Sequence, residues 1–423
     1  MLQNNLGLSK EADIHPLDIK GELLLKDLES FREFGTGTQM ETITGAGLKP
    51  VPVFINEFWT SKQRAAHSLH EVSYRACFKP QLPRFFIERL TGQEDLVYDP
   101  FMGRGTTLLE GALLGRNVAG CDINPLSKLL VSPRLNPPDL IEIEGRLKVI
   151  NFEWDKESRE DLLVFYHPDT LKQICALRNY FIKKKKKTDI VDSWIRMVAT
   201  SRLTGHSKGF FSVYTLPPNQ AVTIERQRII NEQRKQKPEK RDVPALIFRK
   251  SKSLLSKLKV NEINILKKYS SKALLLTQSC DKTRKIKSNS VSLVVTSPPF
   301  LDTVDYAADN WLRCWFNGIN EKDIPIWILK KVEDWKKRMT SVFKELRRIL
   351  LPGGYVAFEV GEVRSGRLKL EEQVIPAAEA AGLTPILVLI NSQKFTKTSN
   401  CWGVNNLSKG TNTNRVVLLK KRP

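Results

Sequence analysis

The sequence predicts an α/β protein built on a doubly wound, mostly parallel sheet, with a mainly helical, basic subdomain inserted into it. Three observations point there. Within residues 96–131 a short apolar run, a glycine-containing turn, a helical stretch and a second apolar run succeed one another. The same alternation of strand-like and helical segments returns after residue 269. Between these blocks, residues 132–268 are rich in lysine and arginine and interrupt the rhythm. Strands that alternate with helices form parallel sheets, because the chain must cross one face of the sheet between neighbours.

In "LVYDPFMGRGTTLLEGALLGRNVAGCDINPLSKLLV" (96–131), Leu96 to Tyr98 is the first strand and leads into a glycine-containing turn. Leu108, Leu109, Ala112 and Leu113 then recur at helical spacing, and Gly115 ends that helix. Val118 to Cys121 is the second strand and stops at Asp122. Later strands are expected at Ala273 to Thr277, Val291 to Val295, Tyr355 to Val360, Ile386 to Ile390 and Arg415 to Leu419. A long helix with Met339, Val342, Phe343, Leu346 and Ile349 on one face closes at "LPGG". Leu370 to Ala381 forms another helix, closed by Gly382. The expected plan is an N-terminal segment, 1–60, with no role assigned and no strong pattern over 1–50; an α/β domain split between 61–131 and 269–423; and the insert, 132–268.

Composition limits what such a chain can do. Of 423 residues, 68 are Lys or Arg and 46 Asp or Glu, a net charge of +22. That excess predicts attraction to a polyanion, nucleic acid ahead of anionic lipid. "MLQNNLGLSKEADIHP" lacks an apolar signal core, and no apolar run approaches membrane-spanning length. A soluble, cytoplasmic protein with no membrane partner is therefore expected. Cys77, Cys121, Cys175, Cys280, Cys314 and Cys401 form no C-x-x-C pair and read as reduced thiols. His67 and His70 stand three apart with no further ligand type nearby, so no metal is expected.

"DPFMGRGTT" supplies Gly103 and Gly105 as G-x-G after a strand, but Leu108 occupies the third glycine position of a dinucleotide fingerprint. Asp99 at the strand end would repel a pyrophosphate and suits a positive group such as an amino acid ammonium. Asp122, at the next strand end, could accept hydrogen bonds from ribose hydroxyls. A ligand with an amino acid end, a nucleoside end and no phosphate is S-adenosyl-L-methionine. The plainer alternative is that the glycines make a tight turn and Asp99 caps the helix.

"VVTSPPFLD" (294–302) ends a strand abruptly, since each proline removes a ladder donor. In a doubly wound sheet this fourth strand lies beside the first, so its carboxyl end borders the same crevice. An exocyclic amine on a base is a poor nucleophile, because its lone pair is delocalised into the ring. The Ser297 hydroxyl oxygen and the Pro298 carbonyl could accept its N–H groups and free that lone pair. The prolines fix the direction of those carbonyls. Phe300 offers a face on which the base stacks, and a base reaches such depth only by leaving the helix. The plainer alternative is a loop after a strand, with Phe300 in the core.

These motifs resemble those of the amino-group DNA methyltransferases, the N4-cytosine and N6-adenine family. "DPFMGRGTT" is similar to its D-P-F-x-G-x-G-T-T cofactor motif, and "TSPPF" to its S/D/N-P-P-Y/F/W catalytic motif. "ACFKPQLPRFFIERL" (76–90) resembles the segment that precedes the cofactor motif and closes over the methionine portion. The resemblance implies a Rossmann-like sheet of the class I methyltransferase type. It implies cofactor contacts from Asp99, Phe101, Gly103, Gly105, Thr106, Thr107, Asp122 and Asp281, and catalysis by Ser297, Pro298, Pro299 and Phe300. Serine first in the catalytic motif is typical of N4-cytosine members. The expected activity is therefore DNA (cytosine-N4) methylation on duplex DNA, in a restriction-modification setting where a cognate restriction endonuclease is a partner.

The alternatives are N6-adenine DNA methylation, RNA base methylation, a non-catalytic DNA-binding subunit and, weakest, an NAD oxidoreductase. A C5-cytosine mechanism needs a cysteine nucleophile, usually in a Pro-Cys pair, and no proline precedes any cysteine here. In the insert, Arg226, Arg228, Arg234, Lys235, Lys237, Lys240 and Arg241 either neutralise phosphates or form a solvated helix face. "KKKKK" (183–187) reads as an exposed loop, and Asn219 and Gln220 either contact base edges or cap a turn.

Overall fold

The computed structural model describes residues 18–44, 50–60, 66–74, 77–154, 156, 159–184, 188–215, 221–299, 301, 306–363, 368–392 and 413–422. The chain opens with α1 (Ile19–Ser30), β1 (Gln39–Ile43), β2 (Val51–Asn56) and α2 (Gln81–Leu90). β3 (Leu96–Asp99), α3 (Thr106–Leu113), β4 (Asn117–Asp122) and α4 (Pro125–Leu135) come next. The insert contributes α5 (Leu140–Val149), α6 (Pro168–Lys184), α7 (Ile190–Arg202), α8 (Ile224–Gln233), α9 (Val243–Leu255) and α10 (Val260–Ser270). The chain then returns through β5 (Leu274–Thr277), β6 (Val291–Thr296), α11 (Tyr306–Asn317), α12 (Val332–Ile349) and β7 (Leu350–Val360). A short ribbon of β8 (Glu362–Val363) and β9 (Leu368–Lys369), then α13 (Glu371–Ala380), β10 (Thr384–Ser392) and β11 (Thr413–Lys420), complete it.

The main sheet has the order β1-β2-β10-β11-β7-β6-β3-β4-β5. From β5 to β7 every neighbouring pair is parallel, while β11 lies antiparallel between β7 and β10. The chain leaves β3 outward through β4 and β5, then comes back to place β6 on the other side of β3. That reversal of direction opens a crevice at the carboxyl ends of the strands, because the connections on either side diverge from it. The expected doubly wound α/β architecture is present, and the seven expected strands occur with ends shifted by a few residues.

Two details differ from the expectation drawn from sequence. "LPGG" belongs to the start of β7, with Gly353 at φ +79° and Leu350 paired to Val291 ahead of a register shift. Residues 1–60, given no role from sequence, supply α1 and the two strands that widen the sheet. Pro52 hid the second of these strands. It lies just before the stretch Val53–Asn56 that pairs with β10, so its missing N–H costs no bond on that side.

Both faces of the parallel strands are covered, which is why they read as continuous apolar runs. Tyr98, Val294, Val356 and Phe358 pack on one face with Met339, Phe343 and Leu346 of α12 and with α13. Val97, Leu293, Val295 and Ala357 pack on the other with Leu24 and Leu28 of α1 and the aromatic face of α2. The insert does not build a core of its own: its buried residues, Trp194 and Phe181 among them, run into Leu108 of α3, Leu130 of α4 and Phe316 of α11. Among the described residues no helix is long and apolar enough to cross a membrane.

Candidate active site

The crevice takes in about 710 Å³, open solvent at its mouth included, and is lined by residues at the carboxyl ends of four neighbouring strands. β3 gives Pro100, Phe101 and Gly103; β4 gives Asp122, Ile123 and Asn124; β5 gives Gln278, Ser279 and Cys280; β6 gives Ser297 and Pro299. Tyr74, Ile326 and Trp327 close the remaining sides. The glycine turn and the Ser-Pro-Pro corner therefore face one cavity.

The turn is fixed by backbone conformation and by internal hydrogen bonds. Gly103 and Gly105 sit at φ of +47° and +72°, where a side chain is strained. A Cβ on Gly105 would collide with Val131 of α4, whereas at Gly103 the nearest atom would be Tyr74 Cε1 at 3.7 Å. The Gly103 N–H donates to Asp122 Oδ2 at 2.9 Å and the Asn124 N–H to Asp122 Oδ1 at 2.8 Å. Thr107 Oγ1 donates to the Val295 carbonyl at 3.0 Å, stitching α3 to β6. Arg104 donates to the carbonyls of His70 and Val72, each at 3.2 Å, and the Thr106 hydroxyl accepts from its Nε at 3.3 Å.

Asp99 is buried, and its Oδ1 accepts from Thr296 Oγ1 at 2.6 Å and from the Phe101 N–H at 3.0 Å. Burial pushes its carboxyl up to about 7, against the pull of the Thr296 and Phe101 donors. Burial also raises Asp122, opposed by the N–H groups of Asn124 and Gly103. Of the residues expected to hold a cofactor, Phe101, Gly103 and Asp122 line the cleft. Gly105, Thr106 and Thr107 shape the turn, and Asp99 ties it to β6. Asp281 points to an ion pair with Arg338 at 3.2 Å and accepts from Ser279 Oγ at 2.6 Å; its neighbours Gln278, Ser279 and Cys280 form the wall.

At the corner, Ser297 and Pro299 line the cleft while Pro298 is buried. Trp335 Nε1 of α12 donates to the Pro299 carbonyl at 3.1 Å, which fixes the second proline. Phe300 lies outside the described residues. Sequence reasoning missed the aromatic wall, where Trp327 meets Phe101 edge-on at 6.1 Å and carries Arg338 over its ring at 4.6 Å. "IPIW" lies in an irregular connection and gives no periodic signal. It also missed Glu359, a buried acid in β7 that stands beside Ser297 in the β6–β7 register. The available signal was an acid inside an otherwise apolar strand.

Elsewhere, His70 bonds Glu110 at 2.6 Å and is held neutral by burial, its pKa pushed down to about 4. No cluster suited to a metal occurs among the described residues. In the basic run, Arg234 stacks on Tyr214 at 3.8 Å, Lys240 pairs with Asp169 at 2.9 Å and Arg241 with Glu239 at 3.0 Å. Arg226, Arg228, Lys235 and Lys237 are exposed. Lys183 and Lys184 end α6, Lys184 pairing with Asp192 at 2.6 Å; Lys185 to Lys187, Asn219 and Gln220 lie outside the described residues.

The family model described as DNA methylase matches residues 24–129, which contain the glycine turn and the β4 acid. The type II methyltransferase M.BsoBI of Geobacillus stearothermophilus is 23% identical over 293 residues, 63% of this chain and 55% of that protein. M.MvaI of Kocuria varians, also a type II methyltransferase, is 29% identical over 140 residues, 32% of this chain and 27% of its own length. The matched stretches thus span about half or less of those relatives. Among solved structures, TrmN from Thermus thermophilus overlaps 84% of this chain and 51% of its own at a TM-score of 0.32 and 12% identity. With the motifs after β3 and β6 in place, residues 24–129 are similar to the DNA methylase family and longer stretches of the chain to type II methyltransferases.

Proposed function

We propose that this chain is a site-specific DNA methyltransferase that moves a methyl group from S-adenosyl-L-methionine to an exocyclic amine of a flipped base, cytosine N4 in first place. The observation that carries the reading is that Gly103 and Asp122 line the same cleft as Ser297 and Pro299. The donor's chemistry fits the lining. Asp122 presents a carboxylate that ribose hydroxyls can donate to, Phe101 and Trp327 offer aromatic surface, and Gly103 leaves the wall open where a side chain would stand.

When bound, the donor supplies an electrophilic methyl group on a sulfonium. The chain's own residues do the rest. Ser297 Oγ and the Pro298 carbonyl accept the N–H groups of the amine and aim its lone pair. Pro298 and Pro299 keep that corner from rearranging. Phe300 is the proposed stacking face for the extruded base. Serine as first residue of the corner favours cytosine N4 over adenine N6. Arg226, Arg228, Lys235 and Lys237 are proposed to meet phosphates of duplex DNA. A restriction-modification role in the cytoplasm, with a cognate endonuclease, belongs to the same reading.

Incubation of amplified, unmodified genomic DNA with methyl-labelled donor, then digestion and mass spectrometry, tests it. N4-methylcytosine is the expected product. N6-methyladenine would change the base assignment, and no methylated base would reject the function.

A further inference from the structure

Methyl transfer to an amine leaves the nitrogen with one proton too many, and that proton needs an acceptor. Neither proline can take it, and the serine hydroxyl is a poor base by itself. The register of β6 on β7 pairs Thr296 with Phe358, so the next residues, Ser297 and Glu359, stand side by side. The Ser297 side chain is close enough to act on the ionisation of the Glu359 carboxyl. From the other flank, Asn414 Nδ2 of β11 donates to Glu359 Oε1 at 3.1 Å. Glu359 is 5% exposed, and its Oε2 is buried without a hydrogen-bond partner among the described residues. A buried carboxyl with an unmatched oxygen is expensive to keep inside a sheet, and no ion pair offsets it among the described residues.

We propose that Glu359 is the terminal proton acceptor of the reaction and acts through the Ser297 hydroxyl. The inference rests on the proposed transfer to an exocyclic amine. The amine nitrogen bonds the methyl carbon as the carbon–sulfur bond breaks, and that bond's electron pair stays on sulfur as a thioether. One N–H proton of the cationic nitrogen passes to Ser297 Oγ while the serine's own proton passes to the Glu359 carboxylate. The products are the methylated amine, the thioether and a neutral Glu359, which later releases its proton to solvent. The ionised carboxylate also turns the serine proton away from the base, leaving the Oγ lone pairs for the amine. Glu359 is thus a positioning residue for Ser297 as well as a proton sink.

Burial raises the Glu359 carboxyl above its ordinary range, and the Ser297 and Asn414 side chains pull it back. Those two uncharged side chains, from β6 and β11, are the described groups that act on its ionisation. A raised carboxyl is a stronger base than an ordinary one, and the working form is the ionised one.

The test uses the full chain, with Glu359→Gln keeping the size and the acceptor for Asn414. Single-turnover methyl transfer to amplified genomic DNA at saturating donor should rise with pH in the wild type through one ionisation. In Glu359→Gln the rise should vanish and the plateau should fall by about 100-fold, with donor affinity by equilibrium dialysis unchanged. A second readout needs no turnover: infrared pH titration should show a protonated-carboxyl band in the wild type that is absent in Glu359→Gln. In Ser297→Ala that band should persist to higher pH, because a side chain that lowers the pKa is gone. An active wild type with an equally fast Glu359→Gln, or a band unmoved by Ser297→Ala, overturns the relay alone. A wild type that binds donor and methylates nothing overturns both the relay and the function.

Discussion

The turn after β3 and the corner after β6 end adjacent parallel strands and face one cleft, yet they are held in different ways. The turn is tied on every side: Asp99 to Thr296, Asp122 to Gly103 and Asn124, Thr107 to Val295, Arg104 to His70 and Val72. The corner is tied at Pro299 by Trp335, while Ser297 stands beside Glu359 in the β6–β7 register. A region whose polar groups are satisfied internally is a scaffold. One that presents its hydroxyl to a cavity is placed to do chemistry. Substitutions in the turn should therefore strike folding, and substitutions in the corner should strike rate.

The largest effect is expected from Gly105→Val, which adds a side chain at positive φ against Val131. Thermal unfolding should show a loss of about 3 kcal/mol or more, summing overpacking and backbone strain. Next, Ser297→Ala should slow methyl transfer by roughly 100-fold while its melting temperature stays within a degree or two of wild type. If the two variants exchanged phenotypes, the division between scaffold and chemistry would be wrong.

Asp99→Asn sharpens the comparison, because the sequence suggests Asp99 as a donor-ammonium acceptor and the structure makes it a strap. Its carboxyl is pushed up to about 7 from an ordinary 3.8, so between those values the folded state holds a proton that the unfolded chain has lost. Stability should fall as pH rises from about 4 to about 7 and level off above. Asparagine keeps the oxygen that Thr296 and Phe101 bond and has no charge to bury. Its melting temperature should overtake wild type by a few degrees at pH 8 and match it near pH 4. A strap predicts nearly unchanged donor affinity in this variant; an ammonium acceptor predicts its loss. Smallest, Trp335→Phe removes one bond to the Pro299 carbonyl and should cost about 1 kcal/mol, measured by denaturant unfolding.

The strands and helices of the α/β unit were legible because buried parallel strands and one-sided helices leave strong patterns. Leu96 to Tyr98, a continuous apolar run, and Met339 to Ile349, at helical spacing, show this plainly. α1, β1 and β2 were not, because Pro50 and Pro52 punctuate the segment and β1 is an edge strand with an exposed face. In the cleft, Gly103, Asp122, Ser297 and Pro299 were readable from their position just after strands. Trp327 reaches the site from a connection, and Glu359 reaches it only through the β6–β7 register. Both depend on tertiary placement that local pattern does not encode. The insert's shared core was equally invisible, since a basic helical stretch says nothing of what its apolar face meets.

The central claim is that the glycine turn and the Ser-Pro-Pro corner form one binding site. Hydrogen–deuterium exchange with and without S-adenosyl-L-methionine tests it without needing turnover. Protection should appear together in peptides covering 101–105, 122–124, 278–280 and the corner beginning at Ser297, with the insert's exposed helix α8 unchanged. Protection confined to one of the two motifs, or appearing first within α8, would contradict the claim.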